Sequence, residues 1–474
     1  MFVAPQIMRV LRMIVMMALL GGFALLRGQT QDENRNPCRS EDPERSIQTC
    51  SALIQSSRET GTNLAKAFYG RGSAYALKGD YEHAIHDYDQ ALRLNPSLAS
   101  VFYGRGWAYA HKADYNHAIQ DYDQALRLNS SFADAFRERG LVYTHENNYD
   151  HAIRDYDQAL RLNPSDNLAF FNRGLAYAHQ GDYDLAIQDY NQAVRLKPNF
   201  PEAFYAQGLA YAKKRDDDRA IQHFDQALHL NPNDANSFYE RGVAYADKGD
   251  YDRGIADYEQ ALSLNPSFAN AHYSLGIAYL QKGDNERAIQ EFDQALRLNP
   301  GVVNATYSRG MAYANKGDYD RAIADYEQAL QLNPSFANAY YSLGVAYERK
   351  GDYDRAIGDF DQALRLTPND ADAFYGRGLA YARRGYYDSA IQDYGQALRI
   401  NSSYAAVFYN RSRAYMRKGD YLRAIADHGH FLWLKFGILG ITIRLCILAC
   451  VVALAFGFKF KWFRKGAISG VTGN

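Results

Sequence analysis

The sequence predicts an all-α solenoid, a stack of helix pairs, on three observations. The stretch Ala65 to Leu98 returns every 34 residues, so that Gly72 recurs as Gly106, Gly140, Gly174, Gly208, Gly242, Gly276, Gly310, Gly344 and Gly378, with Ser412 in the eleventh copy. Within a copy, the apolar residues fall at helical spacing in two runs, through Phe68, Gly72 and Tyr75 and then through Ala84, Tyr88, Ala91 and Leu92. The punctuation also recurs. Gly79 can end the first helix in the left-handed conformation, Asp80 can cap the second, and Asn95-Pro96 closes it. Each unit buries its apolar face only against its neighbours, so 474 residues grow as one repeat body and length is no guide to domain count.

A formal net charge of -1 and a pI near 6.9 provide no basic field for nucleic acid, which is excluded as a partner. The 39 tyrosines and 36 glycines follow from residues used once or twice per repeat. No Gly-rich phosphate loop, isolated nucleophile with its base or HExxH-type ligand set occurs, so the chain is expected to be no enzyme, with no cofactor, metal or small-molecule substrate. His111, His145 and His179 recur because the repeat recurs, on helices roughly 10 Å apart, too far to share a metal.

At the amino terminus, Arg9 and Arg12 precede the apolar run Met13 to Leu26, and residues 1–28 read as a signal peptide or an uncleaved anchor. Either way the repeats are exported. Residues 29–64 read as a linker and a half-repeat cap, in which Ser46, Ile47 and Cys50 stand where Ala84, Ile85 and Tyr88 stand later. An oxidising compartment lets Cys38 bond Cys50; two reduced, buried thiols are the alternative.

The order of Phe68, Gly72, Tyr75, Ala84, Tyr88, Ala91 and Pro96, kept in register from Ala65 to about Asp427, resembles the tetratricopeptide repeat. Eleven such repeats occupy 65–430, the last one degenerate. The resemblance implies a right-handed superhelix whose first helices line a concave groove that receives peptides. One departure stands out. Arginine precedes the glycine in eight repeats (Arg71, Arg105, Arg139, Arg173, Arg241, Arg309, Arg377 and Arg411), and an aspartate precedes the second-helix aromatic, as at Asp87, Asp121, Asp155, Asp189 and Asp325. Where the first becomes Gln207, the second becomes His223, which suggests an ion pair within a repeat or with the next; Leu275 with Glu291 and Leu343 with Asp359 break the rule.

By the same resemblance, the partner-binding groove is expected to use Tyr69, Tyr103, Phe171, Tyr205, Tyr239, Tyr273, Tyr307, Tyr341, Tyr375 and Tyr409, with Trp107, Leu141 and Leu175 just after the glycine. Packing between adjacent first helices is the alternative use of this stripe. Arg349, Arg383 and Arg417 make a basic patch that could attract an acidic partner or be a solvated face. The Lys-and-Asn clamp of some family members is not evident. Asp250 to Gly276 is almost repeated as Asp318 to Gly344, which implies that binding is spread along the array.

Residues 431–458 read as a transmembrane helix, since Phe436 to Phe458 is apolar apart from Thr442 and Arg444. Arg444 would cost roughly 2.5 to 3.5 kcal/mol at mid-bilayer unless it snorkels. Lys459, Lys461, Arg464 and Lys465 mark 459–474 as a basic cytoplasmic tail, with the repeats on the extracytoplasmic side, the periplasm in a bacterium. A fused or frameshifted end is the alternative. The expected function is an exported, membrane-tethered scaffold for a protein or peptide partner; a structural spacer or self-assembling solenoid is the runner-up.

Overall fold

The computed structural model describes residues 40, 42–56 and 60–437. Among these residues the chain forms 23 α-helices and no strand. The expected signal segment 1–28, Cys38, the apolar run from 438 to 458 and the tail 459–474 lie outside the described residues. No helix among the described residues is long and apolar enough to cross a membrane.

Among the described residues a single helix, Pro43–Gln55, comes first, its amino end capped by Asp42, which accepts from the Glu44 backbone N–H. Ser46 and Cys50 are its buried positions, and Cys50 is disulfide-bonded. Eleven helix pairs follow, from Gly61–Leu77 with Tyr81–Leu94 to Ala405–Lys418 with Tyr421–Phe436. The first pair starts at Gly61, so residues 61–64, expected in the cap segment, belong to repeat 1. The last helix continues through Phe436, so residues 431–436, expected to open a membrane helix, complete the last pair instead. The reason is register: Leu432 is buried where Leu398 is buried one repeat earlier.

The chain divides into two units, Met1–Leu264 with repeats 1 to 6 and Asn265–Asn474 with repeats 7 to 11. In each, the first helix of a repeat packs on its own second helix, on the second helix of the repeat before it and, more lightly, on the neighbouring first helices. The core lies in this seam, where Ala84, Tyr88 and Ala91 and their equivalents through repeat 10 are buried. Burial of each ring contributes about 2 to 3 kcal/mol. The glycine of the first ten repeats makes room for it: a Cβ on Gly208 would stand 2.5 Å from the Phe224 ring, closer than any side chain can be.

The turns obey local rules. Gly181, at φ 89°, ends its helix with its own N–H on the Ala178 carbonyl and the Asp182 N–H on the Tyr177 carbonyl at 2.9 Å. Three repeats make the same turn without glycine, at Ala113, Asn147 and Arg215, with φ 59°, 60° and 62°. For an L-residue that conformation costs about 1 to 2 kcal/mol.

Candidate functional site on the first-helix face

The arginines are the most regular polar feature, and six of the eight reach both ways; Arg411 binds only Asp427, since Gly395 stands where the preceding repeat would offer a carboxylate. Arg105 holds Asp121 of its own repeat through Nε and Nη2, at 2.8 and 2.7 Å, and reaches Asp89 of the preceding repeat through Nη1, at 2.5 Å. Arg139, Arg173, Arg241, Arg309 and Arg377 repeat this arrangement. The Asp-aromatic-Asp run thus divides its labour: Asp87 binds Arg71 of its own repeat and Asp89 binds Arg105 of the next. Arg71 instead gives Nη1 to Ser51 in the single amino-terminal helix, which joins that helix to the ladder. Burial pushes the carboxyls of Asp121, Asp155, Asp189 and Asp393 upward, while the guanidinium bonds and charge pull them down. These are bidentate pairs with a buried aspartate and a partly exposed arginine, a geometry that fixes orientation as well as charge.

The exceptions are instructive. Gln207 donates to Asn191 at 2.7 Å, a neutral pair replacing a charged one, and His223 stacks on Tyr211 with ring centroids 5.0 Å apart. In repeat 7, His272 stands where Phe68 stands in repeat 1 and binds Glu291 at 2.7 Å in place of the missing arginine. In repeat 9, Leu343 has no such substitute. Burial and the Glu327 charge push the Asp359 carboxyl up to about 7, with Arg355 opposing.

The expected groove residues divide. Tyr103, Trp107, Leu141, Phe171, Leu175 and Tyr205 are buried. Tyr69, Tyr239, Tyr273, Tyr307, Tyr341 and Tyr375 are half-buried, and Tyr409 is exposed. Their rings lie against the second-helix aromatic of the same repeat, as with Tyr375 on Tyr394 at 6.1 Å. Their hydroxyls engage the next repeat: Tyr307 meets the Ser342 hydroxyl at 3.0 Å, and Asn410 donates to the Tyr375 oxygen at 2.9 Å. Where the ring is Phe171, the residue 35 positions on is Ala206, and both lie in one apolar cluster. Arg349, Arg383 and Arg417 are exposed.

Two charged groups escape a reading by repeat. Arg137, 2% exposed, replaces the aromatic of its series and binds Asp134 at 2.7 Å, Asp166 at 2.8 Å and Glu138 at 3.0 Å. Burial raises the Glu138 carboxyl, with the Arg137 charge holding it back. Burial also pushes Glu240, three repeats after Glu138, up to about 7, against the charge of Lys213. The signal for Arg137 was available, since the series Tyr69, Tyr103, Phe171 skips 137. Among the described residues, no group of three or more His, Cys, Asp or Glu is placed to hold a metal.

Tetratricopeptide repeat models match residues 65–98, 99–132 and 201–234, and residues 137–201, 239–303, 307–371, 349–406 and 375–429. No curated protein matches the chain. Among solved structures, it is similar to MamA, at 28% identity and a TM-score of 0.33 over 35% of this chain and 96% of that one. It is similar to YrrB, described as a TPR protein with an unusual peptide-binding site, at 24% identity and a TM-score of 0.37 over 40% and 99% of the two chains. A tetratricopeptide repeat protein from Parabacteroides merdae aligns at 20% identity and a TM-score of 0.41 over 53% and 99%. Since the models match more than half of the chain, helix pair by helix pair, it belongs to the tetratricopeptide repeat family.

Proposed function

We propose that the chain is a protein-interaction scaffold whose first helices present surface to a protein or peptide, with the repeats outside the cytosol and tethered through 436–458. The observation that carries this reading is how the polar side chains are used. The bridging arginines are engaged between repeats, whereas Lys213, Arg349, Arg383 and Arg417 stand exposed on the first helices. The setting is supported by the Arg9 and Arg12 flank, the apolar carboxyl-terminal run with its basic end, and the disulfide at Cys50, for which Cys38 is the proposed partner.

Photo-crosslinking residues placed at Lys213, Arg349 and Arg383 in native cells, against a set at Arg161, Arg297 and Arg365 on the second helices, test the binding face. Partner adducts from the first set alone support it. Protease accessibility of the repeats in intact cells tests the setting.

The spacer reading has one observation in its favour: Trp107, Phe171 and Leu175, expected to offer apolar groove surface, are in the core. Adducts from neither set would establish it.

A further inference from the structure

We propose that the outer face of the helix Tyr421–Phe436 lies on a lipid surface, with Leu422, Trp433 and Phe436 settled between headgroups and acyl chains. The proposal rests on the membrane tether through 436–458 and adds a second contact, made by the last repeat itself.

Elsewhere in the array, the outer face of a second helix is polar because it grips the first helix that follows. The acid at its second residue takes a cation 30 positions on, as in Glu82 with Lys112, Asp320 with Lys350 and Asp388 with Lys418. The aspartate two turns further along takes the arginine of the same following helix, as in Asp89 with Arg105. The single helix Pro43–Gln55 already follows this rule: Glu44 binds Lys78, and Ser51 accepts from Arg71.

The last helix gives up both grips. Leu422 stands at the first position and Gly429 at the second, and Trp433 stands where the two preceding repeats have Arg365 and Arg399. Repeat 10 lacks the second grip too, at Gly395, but keeps the first through Asp388. The exchanges form a stripe: Leu422, Ala426, Gly429, Trp433 and Phe436 follow one another at alternating steps of four and three, along one face of the helix. Leu422 is 83% exposed, Trp433 52% and Phe436 46%. This face offers a further helix pair neither ionic grip and offers an apolar partner a continuous contact.

Lipid is the partner that fits. The stripe ends at Phe436, and the apolar run Ile438 to Phe458 begins two residues later. A tether inserted there holds the whole stripe within about 20 Å of the bilayer, the helical rise from Leu422 to Phe436. Gly437, at φ 60° and ψ -133°, ends the helix in a conformation open to glycine, which frees the helix axis to lie along the surface. The helix is not long and apolar enough to cross a membrane, and one apolar face carrying a tryptophan suits the interface. A second copy fits less well. The three exposed side chains of the stripe offer on the order of 400 Å², about half of what each partner of a stable dimer buries.

The test uses the full chain carrying Trp462→Phe, reconstituted into vesicles of phosphatidylcholine and phosphatidylglycerol, with lipids brominated near the headgroup end of the acyl chain as quencher. Trp433 emission is expected to fall at least about twofold, after subtraction of the Trp107 signal recorded in Trp433→Phe/Trp462→Phe. Leu422→Asp/Phe436→Asp, which changes exposed side chains only, is expected to remove most of that quenching while the chain stays in the vesicles through a carbonate wash. A photo-crosslinking residue at Leu422 is expected to label lipid. Quenching no greater than background, quenching unchanged in the double aspartate variant, or adducts from position 422 to a second copy or to the chain's own residues 438–458 overturns the proposal. A chain that resists carbonate in these cases keeps its tether without the surface contact; release by carbonate removes both.

Discussion

Arg139 holds Asp155 in a two-pronged grip, Nε to Oδ2 at 2.7 Å and Nη2 to Oδ1 at 2.6 Å, while its remaining arm reaches Asp123 in the preceding repeat. One side chain thereby ties three helices together. Replacing Arg139 with methionine strands both carboxylates, one of them buried, and is expected to lower the stability of the Ala133–His145 and Tyr149–Leu162 pair by about 3 kcal/mol. Lysine recovers only part of this, because an ammonium lacks the planar fork. Since repeat arrays open in parts, the readout is amide hydrogen exchange of that pair rather than a single melting curve.

The Leu343 gap makes repeat 9 respond to pH. The Asp359 carboxyl titrates near 7 when folded, well above its unfolded value, chiefly through burial and then the charge of Glu327. A carboxyl raised on folding contributes stability that is complete below its unfolded pKa, near 4, and is lost as pH rises through about 7. Protection of the Tyr353–Leu366 amides, corrected for intrinsic exchange, is therefore expected to fall between about pH 5 and about pH 8.5. Asp359→Asn removes that slope, and Leu343→Arg supplies the missing cation and raises protection at the alkaline end. An unchanged slope in Asp359→Asn rules out this residue as the source.

Ala113 sits at φ 59° where most repeats have glycine. Ala113→Gly relieves the left-handed penalty but adds freedom to the unfolded chain, for a net gain of about 0.5 to 1 kcal/mol. Gly181→Ala, at φ 89°, is expected to lose a similar amount. Denaturant melts of the two variants beside the parent check both signs.

Tyr375 and Asn410 share a hydrogen bond across a repeat boundary, at 2.9 Å. Removing the hydroxyl with Tyr375→Phe, or the amide with Asn410→Ala, should each cost about 1 kcal/mol. The double variant should cost clearly less than the sum, because one bond is lost in all three. Strict additivity in this cycle would show that the contact adds no stability.

Much of the fold was legible because its determinants are local. The glycine at Gly181, the cap at Asp80 and the spacing of Phe68, Gly72 and Tyr75 act within a few residues of one another, and the period repeats the message eleven times. The arginine-aspartate coupling could also be read, from Gln207 and His223 changing together. Its second arm could not, because Asp89 lies one repeat away from Arg105 and looks like any solvated helix residue. The groove was harder still. Tyr103 and Tyr409 occupy the same repeat position, yet one is 8% and the other 37% exposed.

The sequence by itself determined the helix pairs, their register and the small residues that let rings approach the backbone, since these follow from spacing along one chain. Only the tertiary structure decided which aromatics are core, which carboxylate each arginine takes and which cations are left without one. Those outcomes depend on the rotation and offset of one repeat against the next, and a shift of a few ångströms moves a side chain from solvent to seam. Position in a repeat names the candidates; the packing of the neighbouring repeat selects among them.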